Sequence, residues 1–313
     1  MKGILIYLVI AFGGAWLLAL PLWLSGQGLA TPGTTLILVG MMFIPTLAAL
    51  IASRVSPPTD GFMRATGLLA ARPFRTWWRY ALIAWLMPIV AMVAALTLAW
   101  MLGIIHVDLV KFSGFAAQVH ALSGGNPLPM SLRTLVALQL AGILIAPFIN
   151  AIPALGEEIG WRGFLLQRLC RFGQWPATIL TGVIWGLWHA PAILLGYNYP
   201  GVAPIVALAF MVIFCVLLSV LFGWLRLASG SIWPSAIAHG CVNAVAGLGM
   251  LVAAAGHPVD NVSTGLLGWT GWIVMVLVIA GLIVTKRFPV RHLESPQETA
   301  RKQILADGVN CIS

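Results

Sequence analysis

The stretch Gly156-Glu157-Glu158-Ile159-Gly160-Trp161-Arg162 closes a long apolar run, residues 132–155. Ionisable groups at membrane depth are costly, so they usually mark a functional site. On a helix, Glu158 and Arg162 share a face, and we expect them to form an ion pair. Glu157 points about 100° away from Glu158 and is expected to lack a local partner. The stretch therefore predicts one structural glutamate and one that is free to react.

The composition indicates a membrane protein. Of the 313 residues, 60% are hydrophobic and only 8% are charged, whereas soluble domains carry about 25% charged residues. The net charge is +9, but the basic residues lie between apolar runs, so we interpret them as topology signals and predict no nucleic-acid partner. The predicted fold class is all-α: a polytopic membrane helical bundle of about eight transmembrane helices.

Eight apolar runs are long enough to span a bilayer. They cover residues 4–24, 36–53, 80–105, 132–155, 176–195, 203–225, 231–254 and 265–285. Residues 1–131 are predicted to form N-terminal transmembrane helices with a basic cytoplasmic connector at 54–79. Residues 132–254 are predicted to form a core that contains the polar motifs. Residues 255–285 are predicted to form the last transmembrane helix, and residues 286–313 a cytoplasmic tail. A polar loop is expected at 106–131.

The basic residues favour one orientation. An eight-span topology places all of the 17 Lys and Arg residues on one side, except Lys111 and Arg133. Cytoplasmic loops carry the excess of Lys and Arg. The chain is therefore predicted to be a multi-pass protein of the inner or plasma membrane with both termini in the cytoplasm.

Two of the six histidines fall inside predicted spans. His189 lies in the fifth span, one turn after Trp185, and Pro191 predicts a kink beside it. His239 lies in the seventh span and shares a helix face with Asn243, so that the two could bind an oxyanion together. The helical rise places both histidines and the glutamates in the inner half of the membrane, around a cavity open to the cytoplasm.

In this order, the polar residues resemble three motifs of the CPBP family. The family includes type II CAAX prenyl endopeptidases and bacteriocin-processing, ABI-type intramembrane proteases. Its motifs are Glu-Glu-x-x-x-Arg, Phe-x-x-x-His and His-x-x-x-Asn or Asp. The matching positions are Glu157, Glu158 and Arg162, then Trp185 (in place of Phe) and His189, then His239 and Asn243. The resemblance covers residues 132–254. Some members carry Asn four residues after the second-motif histidine, where this chain has Ile193.

The resemblance implies an intramembrane endopeptidase that acts near the C-terminus of a membrane-associated protein or peptide in the lipid bilayer. The resemblance implies that Glu157 and His189 of this chain activate a water, while His239 and Asn243 stabilise the oxyanion of the tetrahedral intermediate. Glu158, Arg162 and Trp185 would support them. Glu157, His189 and His239 could also ligate zinc with an open position. Metal-bound and metal-free mechanisms both stay open, as does prenylation of the substrate.

Two other classes of function fit the same residues. A non-enzymatic membrane immunity or scaffold protein of the same fold would carry the same motifs. A proton-coupled transporter would use Glu157 and Glu158 as a relay. Transporters usually show paired broken helices in two related halves, and the sequence has no such internal symmetry.

Overall fold

The computed structural model describes residues 2–124, 126 and 130–290. Within these residues, helices account for the regular structure, and the only bridge is an isolated antiparallel one between Val107 and Ala253. Six helices are long and apolar enough to cross a membrane. The expected all-α, multi-pass helical bundle is confirmed. Residues 291–313 of the expected tail lie outside the described residues.

Thirteen α-helices are formed by the described part of the chain. They are α1 (Lys2–Leu24), α2 (Thr34–Val55), α3 (Phe62–Thr66), α4 (Phe74–Met101), α5 (Ser113–Leu122), α6 (Leu132–Glu158), α7 (Leu166–Leu169), α8 (Gln174–Trp188), α9 (Ala190–Ile193), α10 (Pro204–Ser229), α11 (Trp233–Val245), α12 (Leu248–Val252) and α13 (Trp269–Val284). A π-helix, Ile159–Leu165, joins α6 to α7, and 3-10 turns form at Gly28–Ala30 and Cys170–Phe172.

Each predicted span contains an apolar helix, but two of the helices are short. The fifth span was expected to reach residue 195, whereas α8 ends at Trp188 after 15 residues. The last helix, α13, has 16 residues. At about 1.5 Å per residue, such helices are shorter than the ~30 Å apolar core of a bilayer. The fourth span runs on instead, as one helical unit, Leu132–Phe172.

The expected loop at 106–131 is partly helical. It contains α5, a ten-residue helix in which no side chain is buried. Hydrophobic periodicity is the main sequence signal for a helix. This signal is weak in a short helix at the surface, so the helix is easily missed. The prediction of an unbroken loop was therefore wrong for residues 113–122.

Close helix contacts fix the core. Gly182 and Gly186 of α8 lie against α10, where an added Cβ would come within 2.5 Å of Val216 Cα and 2.6 Å of Val212 Cα, respectively. Likewise, α11 packs on α6 and α4, and a Cβ at Gly240 would come within 2.4 Å of the Pro147 carbonyl oxygen. Only glycine allows these backbones to approach so closely.

The connector between α2 and α4 packs over one end of the core. Arg168 Nη2 donates to the Ser56 carbonyl at 3.0 Å, and Arg226 Nη2 donates to the Ala65 carbonyl at 3.1 Å. The amide of Ile232, just before α11, donates to the Gly67 carbonyl at 3.0 Å. The connector thereby joins the ends of α2, α7, α10 and α11 on the side where the π-helix lies.

We predict that Gly186→Ala lowers the unfolding midpoint of the detergent-purified protein. The new methyl group would overlap Val212, and overpacking costs about 1–3 kcal/mol. Gly142→Ala is the matched control, because an added Cβ at Gly142 in α6 meets nothing within 4 Å and alanine favours the helix. Equal midpoints for the two variants in a thermal unfolding assay would contradict the close approach of α8 and α10.

Candidate active site

The two glutamates stand at the junction between α6 and the π-helix. Helical geometry continues through Glu158, whose φ and ψ are −63° and −34°. All seven residues of the π-helix, Ile159–Leu165, are buried. π-helices are rare, occur mostly as single-turn insertions in α-helices, and are frequent at functional sites. Gly160 and Gly163 let this segment lie directly against Pro45 of α2 and Thr66 of α3.

Glu158 accepts two charge-assisted hydrogen bonds on one oxygen. Arg162 Nη1 donates to Glu158 Oε1 at 2.9 Å, and both side chains are fully buried. His239 Nδ1 donates to the same oxygen at 3.0 Å. The expected pair of Glu158 and Arg162 is therefore present. The contribution of His239 comes from α11 and could not be inferred from spacing along one helix.

The Arg162 guanidinium is also held by aromatic rings. Its Cζ lies 4.2 Å from the centroid of the Trp185 ring and 5.1 Å from that of Phe222. Both distances are within the ~6 Å range of cation–π attraction. The positive charge is thus stabilised by the carboxylate on one side and by two rings from α8 and α10.

Glu157 is held by neutral donors. Trp185 Nε1 donates to Glu157 Oε2 at 2.6 Å, and Trp161 Nε1 donates to the same oxygen at 3.4 Å. The expectation that Glu157 lacks a local partner was wrong, because Trp161 follows it by four residues and lies on the same side of the helix. Within the described residues, Glu157 Oε1 has no hydrogen-bond donor, so this oxygen is left for another partner.

His189 occupies the break between α8 and α9, so the irregularity expected from Pro191 is present at this position. The His189 Nδ1 donates to the Trp185 carbonyl at 2.8 Å. A carbonyl oxygen only accepts, so Nδ1 carries the hydrogen and the neutral ring has its lone pair on Nε2. His189 lies at the end of α8 rather than inside a continuous fifth span.

Trp185 lies between the two histidines. Its ring centroid is 5.7 Å from that of His189 and 5.4 Å from that of His239. The structure therefore brings six of the predicted site residues together around this indole: Glu157, Glu158, Arg162, Trp185, His189 and His239. Trp185 was expected to support the reacting residues, and its hydrogen bond to Glu157 is a specific contact that the sequence did not indicate.

Asn243 is the exception among the predicted residues. It follows His239 by one turn of α11, as expected, but it is exposed. Within the described chain, no residue forms a hydrogen bond with its side-chain amide. Asn243 therefore shares a helix with His239 but forms no hydrogen bond with the buried group.

The predicted zinc ligands are not assembled into a metal site. Both histidines use Nδ1 in hydrogen bonds and keep Nε2 available, which is common for metal-binding histidines. However, no three His, Cys, Asp or Glu side chains of the described residues are close enough to hold one ion. The arrangement of Glu157, His189 and His239 does not fit zinc as it stands, and zinc stays a prediction.

Three further aromatic residues complete the group. Trp161 could have been found from its spacing, because it follows Glu157 by four residues. Phe222 of α10 and Tyr7 of α1 carried no sequence signal. The Tyr7 ring stacks on Phe164 at 4.9 Å and meets Trp161 edge-on at 5.6 Å.

Part of the chain is similar to known proteins. Residues 136–245 match the family model described as type II CAAX prenyl endopeptidase Rce1-like. A stretch of 53 residues is 40% identical to CAAX prenyl protease 2 of Methanococcus maripaludis. The aligned stretch covers 17% of this chain and 20% of that protein. The resemblance to the CPBP family is confirmed over residues 136–245, which contain all seven predicted site residues.

We predict that Arg162→Met strongly destabilises the protein. The substitution removes the permanently charged partner of the buried Glu158 carboxylate, and breaking a buried pair in this way costs about 3–5 kcal/mol. A Glu158→Gln, Arg162→Met double variant should regain part of the loss, because the unpaired charge is then gone. The measurement is the thermal unfolding midpoint in detergent.

Arg168→Met is the matched control for this variant. Arg168 donates to the Phe164 and Ser56 carbonyls, so removing it leaves no acid unpaired and should cost less. If Arg162→Met unfolded at the wild-type temperature, the buried ion pair would not contribute as described.

Proposed function

We propose that the protein is an intramembrane endopeptidase that hydrolyses a peptide bond near the C-terminus of a membrane-associated protein or peptide. The observation that carries the proposal is the environment of Glu157. This carboxylate is buried and is oriented by indole N–H groups rather than neutralised by a cation. It lies in the segment that matches a family of membrane endopeptidases.

In the proposed reaction, a water oxygen attacks the carbonyl carbon of the scissile peptide. Glu157 accepts the proton of that water, and the free Nε2 of His189 is a second base beside it. The proton then passes to the leaving nitrogen as the C–N bond breaks. The products are a carboxylic acid and an amine, so the water is fully accounted for and no serine or cysteine nucleophile is required.

The oxyanion of the tetrahedral intermediate is assigned to His239 and Asn243. His239 donates from Nδ1 to Glu158, so it must be an imidazolium to offer a second N–H from Nε2. Asn243, exposed one turn further along α11, is placed to meet a substrate rather than another protein group.

Glu158, Arg162 and Trp185 are assigned to positioning. Glu158 orients His239, and Arg162 binds the same oxygen of Glu158 and holds it in place. Trp185 links the two glutamates. Its N–H donates to Glu157, and its ring faces the guanidinium of Arg162, the partner of Glu158. Such shared support keeps the reacting groups within the small tolerances that catalysis requires.

The substrate class rests on the family. The name of the archaeal relative describes a CAAX prenyl protease, and a prenylated C-terminal peptide is accordingly one arm of the test. The assay uses purified protein in detergent with a library of C-terminal peptides, each with and without a lipid on cysteine. Cleavage sites are read by mass spectrometry.

Two further arms of the assay address zinc and the non-enzymatic alternative. Metal content of the active protein is measured, and activity is compared before and after chelation. Loss of activity on chelation with recovery on zinc addition would support the three predicted ligands. Absence of cleavage of every peptide, by protein that is folded, would favour an immunity or scaffold role.

We also propose that both termini face the cytoplasm. The proposal rests on the bias of the basic residues, because all but Lys111 and Arg133 then lie on the cytoplasmic side. The connector over the π-helix is predicted to be cytoplasmic as well. Reporter fusions within residues 54–79 test this, and an external location would reverse the side from which substrate enters.

We predict different outcomes for the two glutamates. Glu157→Gln should fold normally, because the amide oxygen can still accept from the two indoles, and it should lose about 10²- to 10⁴-fold in cleavage rate, because the base is gone. Glu158→Gln should be less stable, since Arg162 and His239 lose their anion, and should keep partial activity. Undiminished cleavage by Glu157→Gln would remove the carboxylate mechanism.

A further inference from the structure

The hydroxyl of Tyr7 is a polar atom that no described group satisfies. Tyr7 lies on α1, outside the segment that matches the family, and is fully buried. Its oxygen has no hydrogen-bond partner among the described residues. Packing alone does not explain this hydroxyl, because phenylalanine would fill the same space without burying a polar atom.

The position of this hydroxyl is tightly defined. The Tyr7 ring is held between Phe164 and Trp161, and Trp188 Nε1 fixes α1 beside it by donating to the Ala11 carbonyl at 3.0 Å. The hydroxyl lies over Gly160, where an added Cβ would be 2.7 Å from the Tyr7 oxygen. Glycine at 160 therefore makes room for a hydroxyl at the first turn of the π-helix.

Most of the buried, unsatisfied side-chain atoms among the described residues belong to Tyr7 and to the ion pair of Glu158 and Arg162. Six buried side-chain atoms of the described residues lack a hydrogen-bond partner, and four of them belong to Tyr7, Glu158 and Arg162. Trp161, which the Tyr7 ring meets edge-on, donates to Glu157 Oε2 at 3.4 Å, so Tyr7 packs against an indole that orients Glu157. Buried polar groups of this kind are usually satisfied by ordered water, which makes about three hydrogen bonds.

We propose that Tyr7 is a further catalytic residue, whose hydroxyl contacts the water that Glu157 activates. The assignment rests on the proposed peptidase function. The hydroxyl gains and loses no proton in the reaction. The hydroxyl oxygen contacts one hydrogen of the water. The water therefore keeps one orientation while Glu157 takes its other hydrogen. A helix outside the three motifs would thereby complete the active site.

The first test compares two tyrosine variants in the peptidase assay. Tyr7→Phe keeps the stacked and edge-on ring contacts and should lower kcat by about 10- to 100-fold through misplacement of the water. KM and the unfolding midpoint should stay unchanged, since no protein hydrogen bond is lost. Tyr199→Phe is the matched control: this tyrosine is equally buried but donates to the Leu267 carbonyl at 3.1 Å. It should lower the midpoint and leave kcat unchanged.

A second test does not depend on activity. Radiolytic hydroxyl labelling with X-rays modifies side chains that contact bound water, even where they are buried. The full-length wild-type protein should be labelled at Tyr7 and not at Tyr199. No labelling at Tyr7, or a wild-type kcat for Tyr7→Phe, would overturn the inference.

The two tests separate this inference from the proposed function. If Glu157→Gln is inactive while Tyr7→Phe has full kcat, the peptidase assignment stands and the role of Tyr7 is wrong. If the wild-type protein cleaves no peptide, the peptidase assignment is wrong, and the catalytic role of Tyr7 is wrong with it whatever the labelling shows.

Discussion

The interaction on which the site depends is the burial of the Glu158 carboxylate. An ion removed from water is tolerated only when it is paired and hydrogen-bonded, because desolvation otherwise outweighs attraction. Here Arg162 and His239 both donate to Glu158 Oε1, and the guanidinium also faces the rings of Trp185 and Phe222. These contacts come from the π-helix and from α8, α10 and α11, so one charge requires four separate elements to converge.

That convergence needs helices whose backbones nearly touch. Gly240 brings α11 against α6, and Gly186 brings α8 against α10. The π-helix then widens the turn after Glu158 and packs against α2 through Gly160. In a bilayer, the hydrophobic effect drives helix association weakly, so close packing and buried hydrogen bonds must carry most of it. The polar site therefore depends on the glycine contacts, which bring its helices close enough for the buried hydrogen bonds to form.

Two adjacent carboxylates receive opposite environments from this packing. Glu158 is bound to the Arg162 guanidinium and to His239, while Glu157 is bound to the neutral N–H groups of Trp161 and Trp185. Neutral donors orient a carboxylate without supplying a countercharge, which leaves Glu157 suited to accept a proton. The same division appears in the histidines, since His239 is tied to Glu158 and His189 to a backbone carbonyl. The proposed chemistry follows from these differences rather than from the residue types alone.

The sequence by itself determined the helical class, the positions of the apolar helices and the pairing of Glu158 with Arg162. These features depend on residues of one helix, whose relative directions follow from the helical period. Only the tertiary structure decided that His239 reaches Glu158, that Trp185 reaches Glu157, that Asn243 is exposed and that the Tyr7 hydroxyl is buried against the π-helix at Gly160. It also decided the π-helix and the early end of α8. Contacts between helices depend on the depth and rotation of each helix against all its neighbours, and the period of a single helix does not contain that information.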